Sequence, residues 1–197
     1  MIKRVFDICF SLVMLFILAP LFLFISALIV FDSRGGIFFN QIRVGRNQKE
    51  FKLWKFRTMR PMSEATSKIT IGARDARITN IGYHLRKYKV DELPQLWNVL
   101  IGDMSLVGPR PEVPFYVALY TDEQKKVLSV RPGLTDYASL KYFNESELLA
   151  QASDPQKVYI EEVMPAKLSL NLHYVMKNSF VSDLQIIWKT VQRIFST

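Results

Sequence analysis

The sequence predicts an α+β fold, mostly helical, with an N-terminal re-entrant membrane helix, one β-hairpin and amphipathic helices suited to an interface. Three observations carry this reading. Residues Ile8 to Phe31 hold no charge. Only Ile37 to Val44 and Phe51 to Met59 are rich in β-formers, and they flank the turn-like Gly45-Arg46-Asn47-Gln48. Elsewhere apolar residues recur at helical spacing, most clearly from Phe180 to Phe195. The expected boundaries are 1–34 for the membrane element and 35–197 for a domain held at the cytoplasmic face.

Each element has a local reason. As a straight helix the uncharged run extends roughly 36 Å, enough to cross a bilayer. Pro20 stands in its middle. Proline removes a backbone donor and clashes with the carbonyl four residues back, so it divides the run into halves of roughly 18 Å, near one leaflet's depth. Basic residues stand on both sides, Lys3 and Arg4 before and Arg34, Arg43, Arg46 and Lys49 after, and basic flanks favour the cytoplasm. A helix that enters and leaves by one face satisfies both flanks; a kinked spanning helix satisfies one. A cleaved signal peptide is disfavoured by the overlong apolar core and the lack of a clear small-residue cleavage site.

The second arm of the hairpin interleaves Lys52, Lys55 and Arg57 with Phe51, Leu53, Trp54 and Phe56. Such a strand can hold a phosphate-bearing ligand or rest at a lipid interface, and it also fits a plain hairpin edge with one solvated face. Residues 61–80 are polar and mixed and read as a loop or mobile lid. Helices are expected from Val113 to Val130 and from Tyr159 to Met176. At the end of the chain Phe180, Leu184, Ile187, Trp188, Val191, Ile194 and Phe195 form an apolar stripe with Lys189 and Arg193 off it. That pattern suits the head-group layer or a core face equally.

Length and composition bound the function. The 197 residues allow one ordinary domain plus an appended element. The 26 Lys and Arg against 18 Asp and Glu give a net charge of +8, which suits lipid head groups, nucleotides or nucleic acid without choosing among them. Cys9 stands alone inside the apolar run, so no disulfide framework exists. His84 and His173 lie far apart with no cysteine partners, which gives no zinc-type pattern.

The chemistry concentrates between Lys89 and Pro111. Leu93, Leu96, Trp97 and Leu100 follow helical spacing, with Asp91 expected as N-cap, Pro94 in the first turn and Gly102 as the stop. A helix start attracts phosphate, and paired carboxylates such as Asp91 and Glu92 can hold a divalent cation, although spacing alone fits capping as well. Downstream, Gly108-Pro109-Arg110-Pro111 fixes a guanidinium between two prolines, a stiff presentation suited to bidentate phosphate binding. Arg131-Pro132-Gly133 reads as a turn or as a second ligand element.

These residues, in order, resemble a known family. Lys3-Arg4-Val5-Phe6-Asp7 before the apolar run, Trp54-Lys55-Phe56-Arg57-Thr58-Met59, Asp91-Glu92-Leu93-Pro94-Gln95, Asn98-Val99-Leu100, Gly102-Asp103-Met104-Ser105, Gly108-Pro109-Arg110-Pro111 and Arg131-Pro132-Gly133 look like the bacterial sugar transferases, the monotopic phosphoglycosyl transferases that use polyprenyl phosphate. The resemblance implies a re-entrant helix, a catalytic domain at the cytoplasmic face of the bacterial inner membrane, and Mg²⁺ dependence. It implies that Asp91 is the nucleophile of a covalent phosphosugar intermediate and Glu92 its partner, with the pair also the metal ligands. Lys55, Arg57, Arg110 and Arg131 are the expected substrate-binding residues. The expected partners are a UDP-sugar, undecaprenyl or another polyprenyl phosphate and a phospholipid membrane, without nucleic acid; a homodimer is compatible with the reading.

Physical chemistry gives the assignment a reason. A carboxylate that attacks the sugar-bearing phosphorus of a UDP-sugar expels UMP, and an N-cap position would favour its ionised form. The chain departs from close relatives at Asp136 to Glu145, where a Gly-Trp-Ala-Gln stretch is frequent, at Asn171, where Asp is usual, and at Ala19, where Ser often precedes the membrane proline. The compact form of the family, without an added N-terminal membrane domain, is expected. The competing class is a noncatalytic membrane-attached module that binds anionic lipid or nucleic acid. It accounts for the charge and the anchor but not for Asp91-Glu92 occurring together with the paired prolines around Arg110.

Overall fold

The computed structural model describes residues 2–60 and 75–196, so residues 61–74 of the expected loop or lid lie outside it. Element order is α1 (Ile2–Asp32), β1 (Phe38–Val44), β2 (Glu50–Phe56), α2 (Asn80–Lys87), α3 (Gln95–Ile101), β3 (Ser105–Val107), α4 (Pro114–Val117), α5 (Asp122–Lys125), β4 (Gly133–Thr135), α6 (Tyr137–Lys141), α7 (Glu145–Ala150), α8 (Pro155–Val158), α9 (Met164–Lys177) and α10 (Phe180–Phe195). The expected class, mostly helical with one hairpin, is the one observed.

Helix α1 runs through Pro20 as one 31-residue element, apolar and long enough to cross a membrane. Both of its ends grip the same body. At the start, Arg4 donates to the Val99 and Leu100 carbonyls at 2.7 and 3.0 Å, capping the end of α3. Asp7 is buried and accepts from Ser105 Oγ and the Leu106 amide. At the far end, Asp32 accepts from the Ile81 amide at 2.9 Å, and the buried Arg57 guanidinium donates to Ser33 Oγ and to the Ser33 and Gly36 carbonyls. Between these clamps Phe16, Leu23 and Phe24 are 83, 74 and 62% exposed. Apolar surface of that extent is suited to lipid.

The hairpin pairs antiparallel in the register Phe38↔Phe56 to Val44↔Glu50, with left-handed Asn47 and Gln48 at its turn. Alternation sends Leu53 and Lys55 to one face. There Leu53 packs with Leu96 and Val99 of α3. Asn98 locks the two elements together: fully buried, its amide accepts from the Trp54 N–H and donates to the Lys52 carbonyl at 3.0 and 2.8 Å. Phe56 turns the other way, onto Phe22, Ile25 and Ile29 of α1.

A short parallel pair, β3 with β4, is absent from the sequence expectation. It brings Gly108-Pro109-Arg110-Pro111 against Arg131-Pro132-Gly133. The Ser105 amide donates to the Pro132 carbonyl, Gly133 to Pro109, and Gly108 to Thr135, at 2.8 to 3.1 Å. The backbones touch: a Cβ on Gly133 would lie 2.1 Å from the Gly108 nitrogen. Only glycine fits there.

Two helical expectations and one loop expectation change in detail. Val113 to Val130 is two short helices and a 3₁₀ turn, because a reciprocal cap between Thr121 and Gln124 restarts the chain at α5. Tyr159 to Met176 is helical, but Tyr159–Val163 is a π turn ahead of α9. Pro165 cannot donate into an α ladder, and the wider turn accommodates it. Within 75–80, Thr79 caps α2 through the Gly82 amide, so the expected loop ends in a helix start. Helix α10 buries Asp183 and Ile186 and leaves Leu184, Trp188 and Phe195 of the expected stripe exposed. His84 and His173 are exposed.

Candidate active site

Asp91 and Glu92 lie in a 3₁₀ turn, Val90–Glu92, between α2 and α3. Lys89 precedes them at φ 55°, ψ 18°. A left-handed lysine costs on the order of 1 kcal/mol, and such positions concentrate at functional sites. The N-cap expectation for Asp91 fails. Pro94 occupies that position for α3 with no side-chain cap, and Asp91 falls instead in the 3₁₀ turn that precedes it. Asp91 is buried, and among the described residues its Oδ1 has no hydrogen-bond partner. Relieved of capping, this carboxylate has an oxygen available for chemistry.

Glu92 is held from two sides. Lys55 Nζ donates to its Oε1 at 2.8 Å, and the Arg110 guanidinium donates to the same oxygen. Burial alone would raise Glu92; the Arg110 and Lys55 charges outweigh it and hold the carboxyl well below the usual range. Asp91 goes the other way: burial raises it, Lys55 opposes, and the Glu92 charge adds to the rise. Two adjacent carboxylates thus have opposite characters, one locked as an anion and one with a raised proton affinity. Burial also lowers Lys55, against the pull of Glu92, whereas the Glu92 charge raises Arg110.

The clamp of β3 on β4 explains how Arg110 reaches Glu92. Its backbone amide donates to Asp136 Oδ2 at 3.1 Å, and Asp136 is fully buried. On the other side Arg43 NH1 donates to the Pro111 carbonyl and to Glu112, each at 3.0 Å. The Tyr159 hydroxyl donates to the other oxygen of Glu112. The Pro109-Arg110-Pro111 segment is therefore pinned at both ends.

Asp91, Glu92, Lys55 and Arg110 line one cavity of about 680 Å³, within the range that holds a small ligand. Its walls also carry Arg43, Arg86, Lys89, Tyr116, Ser139, Lys167 and Asn171, together with apolar Phe10 and Met14 of α1 and Ile187 and Val191 of α10. Burial, reinforced by Glu112, pushes the Tyr116 phenol up to about 12, so it stays a donor at neutral pH. Of the expected substrate-binding residues, Lys55 and Arg110 are in the site. Arg57 and Arg131 are not. Arg57 ties the end of α1 to the hairpin, and Arg131 Nε donates to the Gly102 carbonyl at 2.9 Å, where it closes α3. Pattern matching could not separate these roles, since all four are cations beside turn or strand signals. Missed were Asp136 and Asn98, which hold the site through backbone groups, and Arg43, which lines the cavity and bonds Glu112 and the Pro111 carbonyl; none leaves a spacing signal.

Among the described residues no group of three or more His, Cys, Asp or Glu side chains is placed to hold a metal. Mg²⁺ asks for less: it keeps several waters and takes one or two carboxylates with substrate phosphates. The unpartnered Asp91 Oδ1 beside Glu92 fits that demand.

A family model described as bacterial sugar transferase matches residues 1–197. The chain is 40% identical to the exopolysaccharide production protein PSS of Rhizobium leguminosarum bv. phaseoli, over 96% of this chain and 93% of that protein. It is 36% identical to the undecaprenyl-phosphate glucose phosphotransferase of Komagataeibacter xylinus, over 98% of this chain and 36% of that protein. Against the UDP-glucose:undecaprenyl-phosphate glucose-1-phosphate transferase of Klebsiella pneumoniae the identity is 34%, over 98% and 40%. It therefore spans nearly all of the first relative and little more than a third of the other two.

Proposed function

The chain belongs to the bacterial sugar transferase family, and on that basis we propose that it moves a sugar-1-phosphate from a UDP-sugar to undecaprenyl or another polyprenyl phosphate, initiating glycan assembly. The observation that carries the reading is Asp91 Oδ1, buried, unpartnered and on the wall of the cavity that also receives Lys55 and Arg110. Asp91 attacks the sugar-bearing phosphorus, the bond to the bridging oxygen breaks, and UMP leaves. A phosphate oxygen of the acceptor then attacks the same phosphorus, and the Asp91 carboxylate departs. Lys55 and Arg110 offset charge on the diphosphate, while Glu92 orients both cations. Asp91 and Glu92 would hold Mg²⁺, which when bound supplies further compensation of the diphosphate charge.

The reaction joins a soluble donor to a membrane-bound acceptor. A re-entrant α1 at the cytoplasmic face fits this task, and its two clamped ends on one body support it. Purified enzyme with Mg²⁺, polyprenyl phosphate and a panel of UDP-sugars is expected to release UMP with at least one donor, and Asp91→Asn to release none. No release from any donor would leave the noncatalytic membrane module standing.

A further inference from the structure

Besides Asp91 Oδ1, the buried atoms Tyr116 Oη, Ser139 Oγ and Asn171 Oδ1, on residues of the same cavity, have no hydrogen-bond partner among the described residues. Tyr116 and Asn171 are 3 and 4% exposed. Buried polar atoms are nearly always bonded, so unbonded ones on residues that line a cavity mark where a ligand could supply the partners. They come from three helices, α4, α6 and α9, and α6 packs directly on α9.

The chemistry of this wall differs from that around Asp91. The charges beside it are paired: Lys167, one turn before Asn171 on α9, with Glu145 at 2.7 Å, and Glu112, whose charge acts on Tyr116, with Arg43 at 3.0 Å. What remains is a phenol, an alcohol and an amide, groups that donate and accept without charge. Such a set suits hydroxyls rather than phosphates. Its position also follows from a shared residue. The Asp136 carboxylate that takes the Arg110 amide also takes the Ser139 amide, at 3.1 and 2.6 Å. The neutral wall therefore begins one side chain from the backbone of Arg110, the residue whose guanidinium meets Glu92.

We propose that Tyr116, Ser139 and Asn171 form the subsite that reads the hydroxyls of the transferred sugar, and so set which UDP-sugar is used. The inference rests on the transfer reading above. The group bonded directly to the reacting phosphorus is the sugar, whereas the uracil lies at the other end of the donor, so a neutral wall adjoining Arg110 takes the sugar.

The test compares wild type with Tyr116→Phe, Ser139→Ala and Asn171→Ala. UMP release is measured with UDP-glucose, UDP-galactose and their N-acetylamino counterparts, alongside inhibition by UMP. Ratios of kcat/KM between donors should change by about tenfold or more in at least one variant, because a site built to bond a hydroxyl discriminates through it. UMP inhibition should stay at the wild-type value. Unchanged donor ratios in an active set would overturn the subsite. Weakened UMP inhibition with a uniform loss across donors would assign the wall to the nucleoside and overturn it equally. A wild type that releases UMP from none of the donors overturns the transfer reading and this inference with it. Thermal melts check folding, and Tyr116→Phe and Ser139→Ala, which each remove one hydroxyl, decide the matter if Asn171→Ala does not fold.

Discussion

Asp91 and Glu92 are adjacent in sequence and opposite in environment. Glu92 gives one oxygen to two cations, while Asp91 keeps Oδ1 unbonded in a buried turn. Its carboxyl is raised by burial, so the folded chain binds that proton more tightly than the unfolded one. Such a group favours the fold at low pH, and its contribution is lost as pH rises from the ordinary carboxylate value through the raised one. Asp91→Ala in metal-free buffer should therefore melt at or above the wild-type temperature at neutral pH and lose this pH dependence. A helix cap would behave differently, with about 1 kcal/mol lost on truncation. Thermal melts between pH 4 and 8 distinguish the two, and a clear destabilisation by Asp91→Ala would return the residue to a structural role.

At the scale of elements, the site depends on two joints. Asn98 fastens α3 to β2, which sets Lys55 against Glu92; Gly108 and Gly133 let β3 touch β4, which sets Arg110 there. Gly133→Ala places a methyl against backbone that cannot yield. It should cost at least about 1–3 kcal/mol and lower UMP formation through Arg110. Gly36→Ala, whose added carbon meets only an ordinary 3.6 Å contact, is the control. A Gly133→Ala protein as stable and active as that control would refute the joint. The sequence makes the hairpin, α3 with its Gly102 stop and α10 legible, because each has a period or a turn residue of its own. It does not reveal the β3–β4 pair, since three-residue strands have no period and their pairing partner lies 28 positions away. For the same reason Lys55 and Arg110 look no different in sequence from Arg57 and Arg131. Which cation enters a cavity is decided by tertiary contacts with carbonyls that any residue supplies.

For the whole molecule, the clamps at Arg4 and Asp7 and at Asp32 and Arg57 hold both ends of α1 on one body, Leu18, Phe22 and Ile25 pack on it between them, and Phe16, Leu23 and Phe24 are exposed. Tags at Met1 and Thr197 should both be shielded from an impermeant reagent outside intact cells; labelling of the N-terminal tag alone would mean a spanning helix. Under the proposed function a re-entrant topology would let a soluble donor and a lipid acceptor use one cavity in turn, which is the advantage a covalent intermediate would have over direct transfer. The most direct measurement of that intermediate omits the acceptor. With enzyme, Mg²⁺ and a donor the enzyme uses, but no polyprenyl phosphate, labelled UMP should exchange into the UDP-sugar, and Asp91→Asn should abolish the exchange. Absence of exchange in the active wild type, or its persistence in Asp91→Asn, would contradict the assignment of Asp91 as the nucleophile.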